Sequence, residues 1–242
     1  MKLLTEPAIV VFSGGQDSTT CLVWALKKFK EVKAITFDYR QRHKIEIECA
    51  KEIIKVINLK NEVSIDWLKQ KSQIEHIIID ISFLSDMLRT AMIQDLEIKY
   101  NNKTGLPTTF VPGRNILFLT LTAAYAYQKN IRHIVIGVSQ TDYSGYPDCR
   151  EATIISLQHT LKLGLEYDIK IHTPLMWKNK SETIKMMQEL GGLELYKYTH
   201  TCYKGERPAC GTCFACELRL AGFKEAGLKD PLEYKLIRDF KS

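Results

Sequence analysis

The chain has 242 residues, of which 45% are hydrophobic and 26% charged, with a formal charge of +6 at pH 7. This is ordinary globular composition, enough for one α/β domain with an appendage, and it excludes a disordered, low-complexity or repeat protein. The lysines are spread along the chain rather than massed, which tolerates a nucleotide or nucleic-acid partner without demanding one.

The opening stretch, MKLLTEPAIVVFSGG, runs straight into a glycine turn. It lacks the apolar core and small-residue cleavage site of a signal peptide, and no window approaches the roughly 18–20 apolar residues of a membrane span. A soluble, cytoplasmic protein is expected. Residues 8–12 (AIVVF) read as a buried strand, continuous and β-branched, and residues 17–29 as a helix. A second strand is expected over 32–37 (VKAITF), a helix over 43–57 (HKIEIECAKEIIKVI) and a third strand over 62–67 (EVSIDW). Residues 68–112 give no clear pattern and are expected to mix helices with a long loop. PGRNILFLTLTAAYAYQKN starts a helix on a proline-glycine signal. A fourth strand follows over 133–138 (HIVIGV) and a fifth over 169–175 (IKIHTPL). KSETIKMMQEL then restarts a helix, with Ser181 a candidate N-cap. Strands alternating with helices predict a doubly wound, parallel, five-stranded sheet of Rossmann-like form. Its ligand belongs beyond the carboxyl ends of the strands. That edge would gather the segments after strands one, two, four and five: Ser13–Ser18, Asp38–His43, Ser139–Cys149 and His172–Lys180.

The string Ser13-Gly14-Gly15-Gln16-Asp17-Ser18 sits between the first strand and its helix. Two glycines let backbone N–H groups approach a ligand. Ser13 and Ser18 add hydroxyls, and the following helix adds unpaired N–H groups and its positive dipole end, so the loop suits a polyphosphate. It is neither a Walker loop, since no lysine follows it until Lys27, nor a G-x-G-x-x-G turn. Asp17 would repel phosphate unless Mg²⁺ lay between them, since hard cations take both kinds of oxygen. The loop resembles that of the N-type ATP pyrophosphatases, which cleave ATP to AMP and pyrophosphate and adenylate an oxygen of their substrate.

Near the C-terminus the spacing is Cys202-x7-Cys210-x2-Cys213-x2-Cys216. Four thiolates suit a closed, structural Zn²⁺ site, with Gly211 allowing a tight turn between them. Iron–sulfur ligation is the rival reading, although its usual spacing places the fourth cysteine downstream. The site is expected to be remote from catalysis. Cys21, Cys49 and Cys149 read as plain residues.

Four further stretches narrow the match: FVPGRN (110–115), GVSQTDYSGYPDCR (137–150), TPLMWKNKSE (173–182) and TCYKGERPACGTCFACELR (201–219). Together with DYRQRH (38–43), they make the chain similar to the 7-cyano-7-deazaguanine synthase family of queuosine biosynthesis over nearly its whole length. Arg40 stands where that family tends to have glycine, and Phe214 where proline is usual. The resemblance implies a fold of the adenine nucleotide alpha hydrolase type with a C-terminal zinc-binding helical appendage, divided as 1–195 and 196–242. It implies a reaction in which 7-carboxy-7-deazaguanine, ammonia and ATP give the 7-cyano base through adenylated acid and amide. A homodimer with no direct nucleic-acid partner is also implied.

Asp17, Ser18, Arg114 and Lys180 are then the catalytic candidates. Phe12, Ser13, Gly14, Gly15, Gln16, Asp17, Ser18, Thr19, Thr20, Cys21, Leu22 and His43 are the ATP-binding set. For the substrate, Asp142 or Asp148 would accept from a guanine-type edge, Tyr143 or Tyr146 would stack on the ring, and Arg150 would pair with the carboxylate. A tRNA-modifying enzyme built on the same loop is the alternative; it should carry a basic appended domain or a catalytic cysteine pair, and neither is obvious here.

Overall fold

The computed structural model describes residues 4–41, 45–60, 65–88, 90–93, 105–141 and 145–236. Its centre is the apolar run of β1 (Leu4–Val11), whose last residues are buried on both faces. Ala8, Val10 and Phe12 turn to one side of the sheet, Ile9 and Val11 to the other. This period of two, inside an unbroken apolar run, marks a strand covered by helices on both faces.

β2 (Phe29–Asp38) and β4 (His133–Val135) flank β1, with β3 (Glu75–Asp80) and β5 (Lys170–His172) at the edges. All four pairings are parallel. The order β3-β2-β1-β4-β5 therefore reverses between β1 and β4, which opens a crevice beyond the carboxyl ends of those two strands. On one face lie α1 (Gln16–Lys28), α2 (Ile45–Leu59), α6 (Lys180–Glu189) and α7 (Phe214–Ala226), contributing Leu22, Ile53, Ile184 and Phe223 to one core. On the other lie α4 (Arg114–Gln128) and α5 (Glu151–Leu165), contributing Leu119, Ala123, Ile154 and Leu161. A single short turn of helix, α3 (Leu84–Met87), follows β3. The expected five-stranded, doubly wound α/β fold is what forms.

Two local expectations are corrected, and one helix is unanticipated. The third strand is not at 62–67. Residues 61–64 lie outside the described set, and Asp66–Gln70 is a 3₁₀ turn that buries Ile65 and Leu68, three residues apart. The strand is Glu75–Asp80, whose edge position leaves Ile77 and Ile79 only partly buried and Ile78 exposed. Helix α5 gives a weak sequence signal because Ile154 and Leu161 alone are buried, while Ile155 and Leu163 face outward. Ser181 does not cap α6. Asn179 does, in a reciprocal capping box: its side chain accepts from Glu182 N–H at 2.8 Å, and Glu182 accepts from Asn179 N–H at 2.8 Å. The two departures from the family pattern are accommodated. Arg40 takes φ +54°, so the turn keeps a left-handed residue there. Phe214 is the first residue of α7, the position a proline tolerates best.

The C-terminal segment is fastened by one buried charge. Arg219 is 1% exposed; its Nε and Nη2 donate to the two oxygens of Asp230 at 2.7 and 2.8 Å. Nη1 donates to Thr199 Oγ1 at 2.6 Å and Nη2 to the Tyr196 carbonyl at 3.1 Å. Asp230 also accepts from Tyr234 Oη and Leu232 N–H. Removing one partner of such a pair strands the other charge in the core. Asp230→Asn should destabilise the protein by about 3–5 kcal/mol, read as a lowered urea midpoint with little change in slope.

Candidate active site

The loop after β1 is shaped by two close approaches. Gly14 has φ +79°, and a β-carbon there would lie 2.6 Å from Ala50 N and 2.7 Å from the Glu46 carbonyl of α2. A side chain is excluded by conformation and by space. Beyond β4, a β-carbon on Gly137 would come within 3.1–3.3 Å of the Asp17–Ser18 backbone. Helix α2 and the segment after β4 therefore press on one loop from two sides. Within it, Ser13 and Ser18 Oγ lie 3.0 Å apart, and Ser18 Oγ also donates to Gly15 O at 3.1 Å. Gly15 is the N-cap of α1 and no side chain caps that end. Asp17 and Ser18 thus do not serve as caps, and α1 presents its first N–H groups and dipole to the crevice.

That crevice is a cavity of about 320 Å³, at the lower end of the size of small-molecule sites. Phe12, Ser13, Gly15, Gln16, Asp17, Ser18, Arg114 and Lys180, all expected from sequence, line it together. Lys180, the first residue of α6, donates to both oxygens of Asp17 at 3.0 and 2.8 Å. Its stem is held by α7, since a β-carbon on Gly222 would meet Lys180 Cγ at 2.9 Å. Arg114 opens α4; its Nη1 donates to Tyr39 Oη at 3.3 Å, and its guanidinium lies 5.9 and 6.0 Å from the rings of Tyr39 and Phe118. Gln16 is 2% exposed, and neither its amide nitrogen nor its amide oxygen has a hydrogen-bond partner among the described residues. A buried, unpartnered amide on a cavity wall suits a polar ligand that would complete it.

Other expected residues lie elsewhere. Thr19, Thr20, Cys21 and Leu22 are fully buried and do not line the cavity. Thr19 Oγ1 bonds back to Gly15 O, Thr20 Oγ1 meets Tyr196 Oη at 2.6 Å, and Cys21 and Leu22 pack in the core. Burial, with Asp17 nearby, holds the Cys21 thiol well above its ordinary pKa, so it stays neutral. Gly14 faces α2. Asp148 is buried behind the cavity wall, where one oxygen accepts from the Asn115 N–H of α4's first turn at 3.0 Å and the other is without a partner. Tyr146 Oη meets Thr109 Oγ1 at 2.7 Å, and its ring packs on Phe110. Arg150 is exposed at the start of α5. His43, Asp142 and Tyr143 lie outside the described residues.

Sequence reasoning missed several lining residues: Tyr39, Glu46 and Phe118, and from the C-terminal segment His200, Thr201, Tyr203 and Arg219. The signal for Glu46 was faint; it stands three residues past the Asp38–His43 segment placed at the site edge, inside the expected helix 43–57.

The four cysteines converge. The sulfur atoms of Cys202, Cys210, Cys213 and Cys216 all lie within 4.8 Å of one another. Backbone N–H groups of Tyr203, Cys210, Thr212 and Cys213 donate to these sulfurs at 3.3–3.5 Å. Four sulfur donors ringed by N–H groups fit a metal held by thiolates. The metal-binding segment is not remote, however, because Tyr203 and α7 form one wall of the cavity.

The family model described as queuosine biosynthesis protein QueC matches residues 7–227. The chain is 48% identical over 230 residues to a 7-cyano-7-deazaguanine synthase of Chromobacterium violaceum, covering 94% of this chain and 93% of that one. It is 50% identical over 224 residues to the protein of the same name from Clostridium botulinum strain Langeland, covering 91% and 95%. A crystal structure of a 4-thiouridine synthetase–RNA complex with bound ATP superposes with a TM-score of 0.51 at 15% identity, over 92% of this chain and 50% of that one, a likeness of fold alone. On the match of both family model and relatives across nine-tenths of its length, the chain belongs to the queuosine biosynthesis protein QueC family.

Proposed function

We propose that this protein is a 7-cyano-7-deazaguanine synthase, converting 7-carboxy-7-deazaguanine and ammonia to the nitrile with ATP. The observation that carries the reading is the uncapped N-terminus of α1 opening, with Asp17 and Lys180, into the cavity at the switch point, in a chain about half identical to relatives of that name. A carboxylate oxygen is a poor leaving group and AMP a good one. The substrate carboxylate attacks the α-phosphorus, pyrophosphate departs, and ammonia displaces AMP to give the amide. The amide oxygen is adenylated in turn, and loss of AMP with N–H protons leaves the nitrile.

In this reading Ser13 to Ser18 cradle the polyphosphate with backbone N–H groups, and Gln16 orients it. Asp17 would hold Mg²⁺, which supplies charge neutralisation to the phosphates when bound. Lys180, which now spends its charge on Asp17, would turn to the departing pyrophosphate, and Arg114 would stabilise the anionic end of the substrate. Of the expected readers of the base, Asp142, Tyr143 or Tyr146, and Arg150 remain proposed, with Asp148 supporting α4 from behind the cavity wall, and His43 a nucleotide contact. The four cysteines would hold one Zn²⁺, which closes its shell with thiolates and orders the 196–242 segment against the 1–195 domain. No helix among the described residues is long and apolar enough to cross a membrane; cytoplasmic residence and a homodimer complete the proposal. The tRNA-modifying alternative shares the loop, but the relatives' names favour the synthase.

Asp17→Asn should lower ATP-to-AMP turnover about 100-fold or more with the melting temperature retained, and normal turnover in a folded variant would remove the proposed metal role. Mass spectrometry of the products should find nitrile from the acid with ammonia and ATP, and nitrile from the isolated amide with ATP alone. An enzyme that stops at the amide is instead an ordinary amide-forming ligase. Elemental analysis should give about one zinc per chain, and Cys210→Ala should lose zinc and thermal stability together; stoichiometric iron and sulfide in anaerobically purified protein would replace zinc by a cluster.

A further inference from the structure

Two carboxyl groups line the cavity among the described residues, Asp17 and Glu46, and they are held differently. Both oxygens of Asp17 are taken by Lys180. Glu46, in the first turn of α2, has no hydrogen bond or ion pair among the described residues. Its position is tied to the phosphate loop, because its own carbonyl closes on Gly14. Arg114 of α4 and Tyr39 at the end of β2 are its charged and titratable neighbours across the cavity, with Cys49 one turn along α2. Farther along the same wall stand the Asp17–Lys180 pair and His200, whose Nε2–H is spent on the Cys202 carbonyl at 2.8 Å. Burial, opposed by the Arg114 charge, pushes the Glu46 carboxyl up to about 7. A carboxyl with that affinity changes protonation near neutral pH, as a general base requires.

Resting on the proposed reaction, we infer that the Glu46 carboxylate is the proton acceptor when ammonia attacks the acyl-adenylate. The nitrogen forms a bond to the acyl carbon, the carbon–oxygen bond to AMP breaks, and AMP leaves with the electron pair. One N–H proton passes to Glu46, giving a neutral amide and a carboxylic acid. The preceding adenylation needs no such transfer, since a carboxylate oxygen attacks phosphorus and pyrophosphate leaves. Glu46 should therefore serve one half of the reaction and not the other.

The two halves can be measured separately on the full chain. Exchange of labelled pyrophosphate into ATP, with 7-carboxy-7-deazaguanine and no ammonia, reads adenylation. Single-turnover amide formation, at a fixed concentration of free ammonia and varied pH, reads the second half. Wild-type amide formation should rise with pH to a plateau above about 7, because the base acts deprotonated. Glu46→Gln should still exchange pyrophosphate, lose amide formation roughly 10²–10⁴-fold and lose the rising limb; Glu46→Asp should restore part of both. Glu46→Gln with wild-type amide formation would overturn the assignment. So would loss of exchange and amide formation together in a variant of unchanged melting temperature, which would make Glu46 a binding residue. If the wild type itself fails to exchange pyrophosphate with this base, the proposed reaction falls, and this role with it.

Discussion

The guanidinium of Arg219 is the contact on which the assembled site depends. A charge in the core is tolerated only when its hydrogen bonds are filled, and Arg219 of α7 fills them from two other parts of the chain: Tyr196 and Thr199 on one side, and Asp230 on the other. Those bonds bring α7 and the cysteine-bearing segment onto the sheet domain instead of leaving them as a tail. Gly222 then lies against the Lys180 stem, and Lys180 in turn reaches Asp17. A chain of contacts thus runs from a buried ion pair near the C-terminus to the loop after β1.

This arrangement gives the four cysteines a clearer purpose. All four metal positions are sulfur donors, so a metal bound there has no open place for a reacting water. Its value is architectural. It would hold Cys202 and Cys210 to the start of α7, and Tyr203, Thr201 and Arg219 beside them close the cavity. Order at the cysteines and order at the active site are consequently the same order, reached from two directions.

The loop itself balances opposing demands. Its glycine turn must be narrow, and Gly14 secures this by letting α2 come within contact of the backbone. The same close approach brings Glu46 into the cavity. A conformational requirement of the loop therefore also delivers a carboxyl group to the wall of the cavity.

Much of this was legible before any coordinates. The doubly wound sheet follows from strongly apolar central strands such as AIVVF alternating with amphipathic helices, and the phosphate loop and metal cluster follow from short strings whose chemistry is local. The edge strand Glu75–Asp80 and helix α5 were not legible, because each buries only part of one face and so carries little periodicity. Nor does spacing reveal how deep a side chain lies: Thr20 and Cys21 follow Asp17 by one helical turn on the same face of α1, yet that turn carries them past the cavity mouth and into the core. The sequence by itself determined the sheet, the glycine loop after its first strand and the cysteine cluster, since each is encoded within a few consecutive residues. Only the tertiary structure decided that Asp17 pairs with Lys180, that Asp148 supports α4 from behind the cavity, and that Glu46 and the cysteine segment share one cavity with the loop. Those are contacts between residues up to about two hundred positions apart, set by how helices pack on a twisted sheet and not by any local pattern.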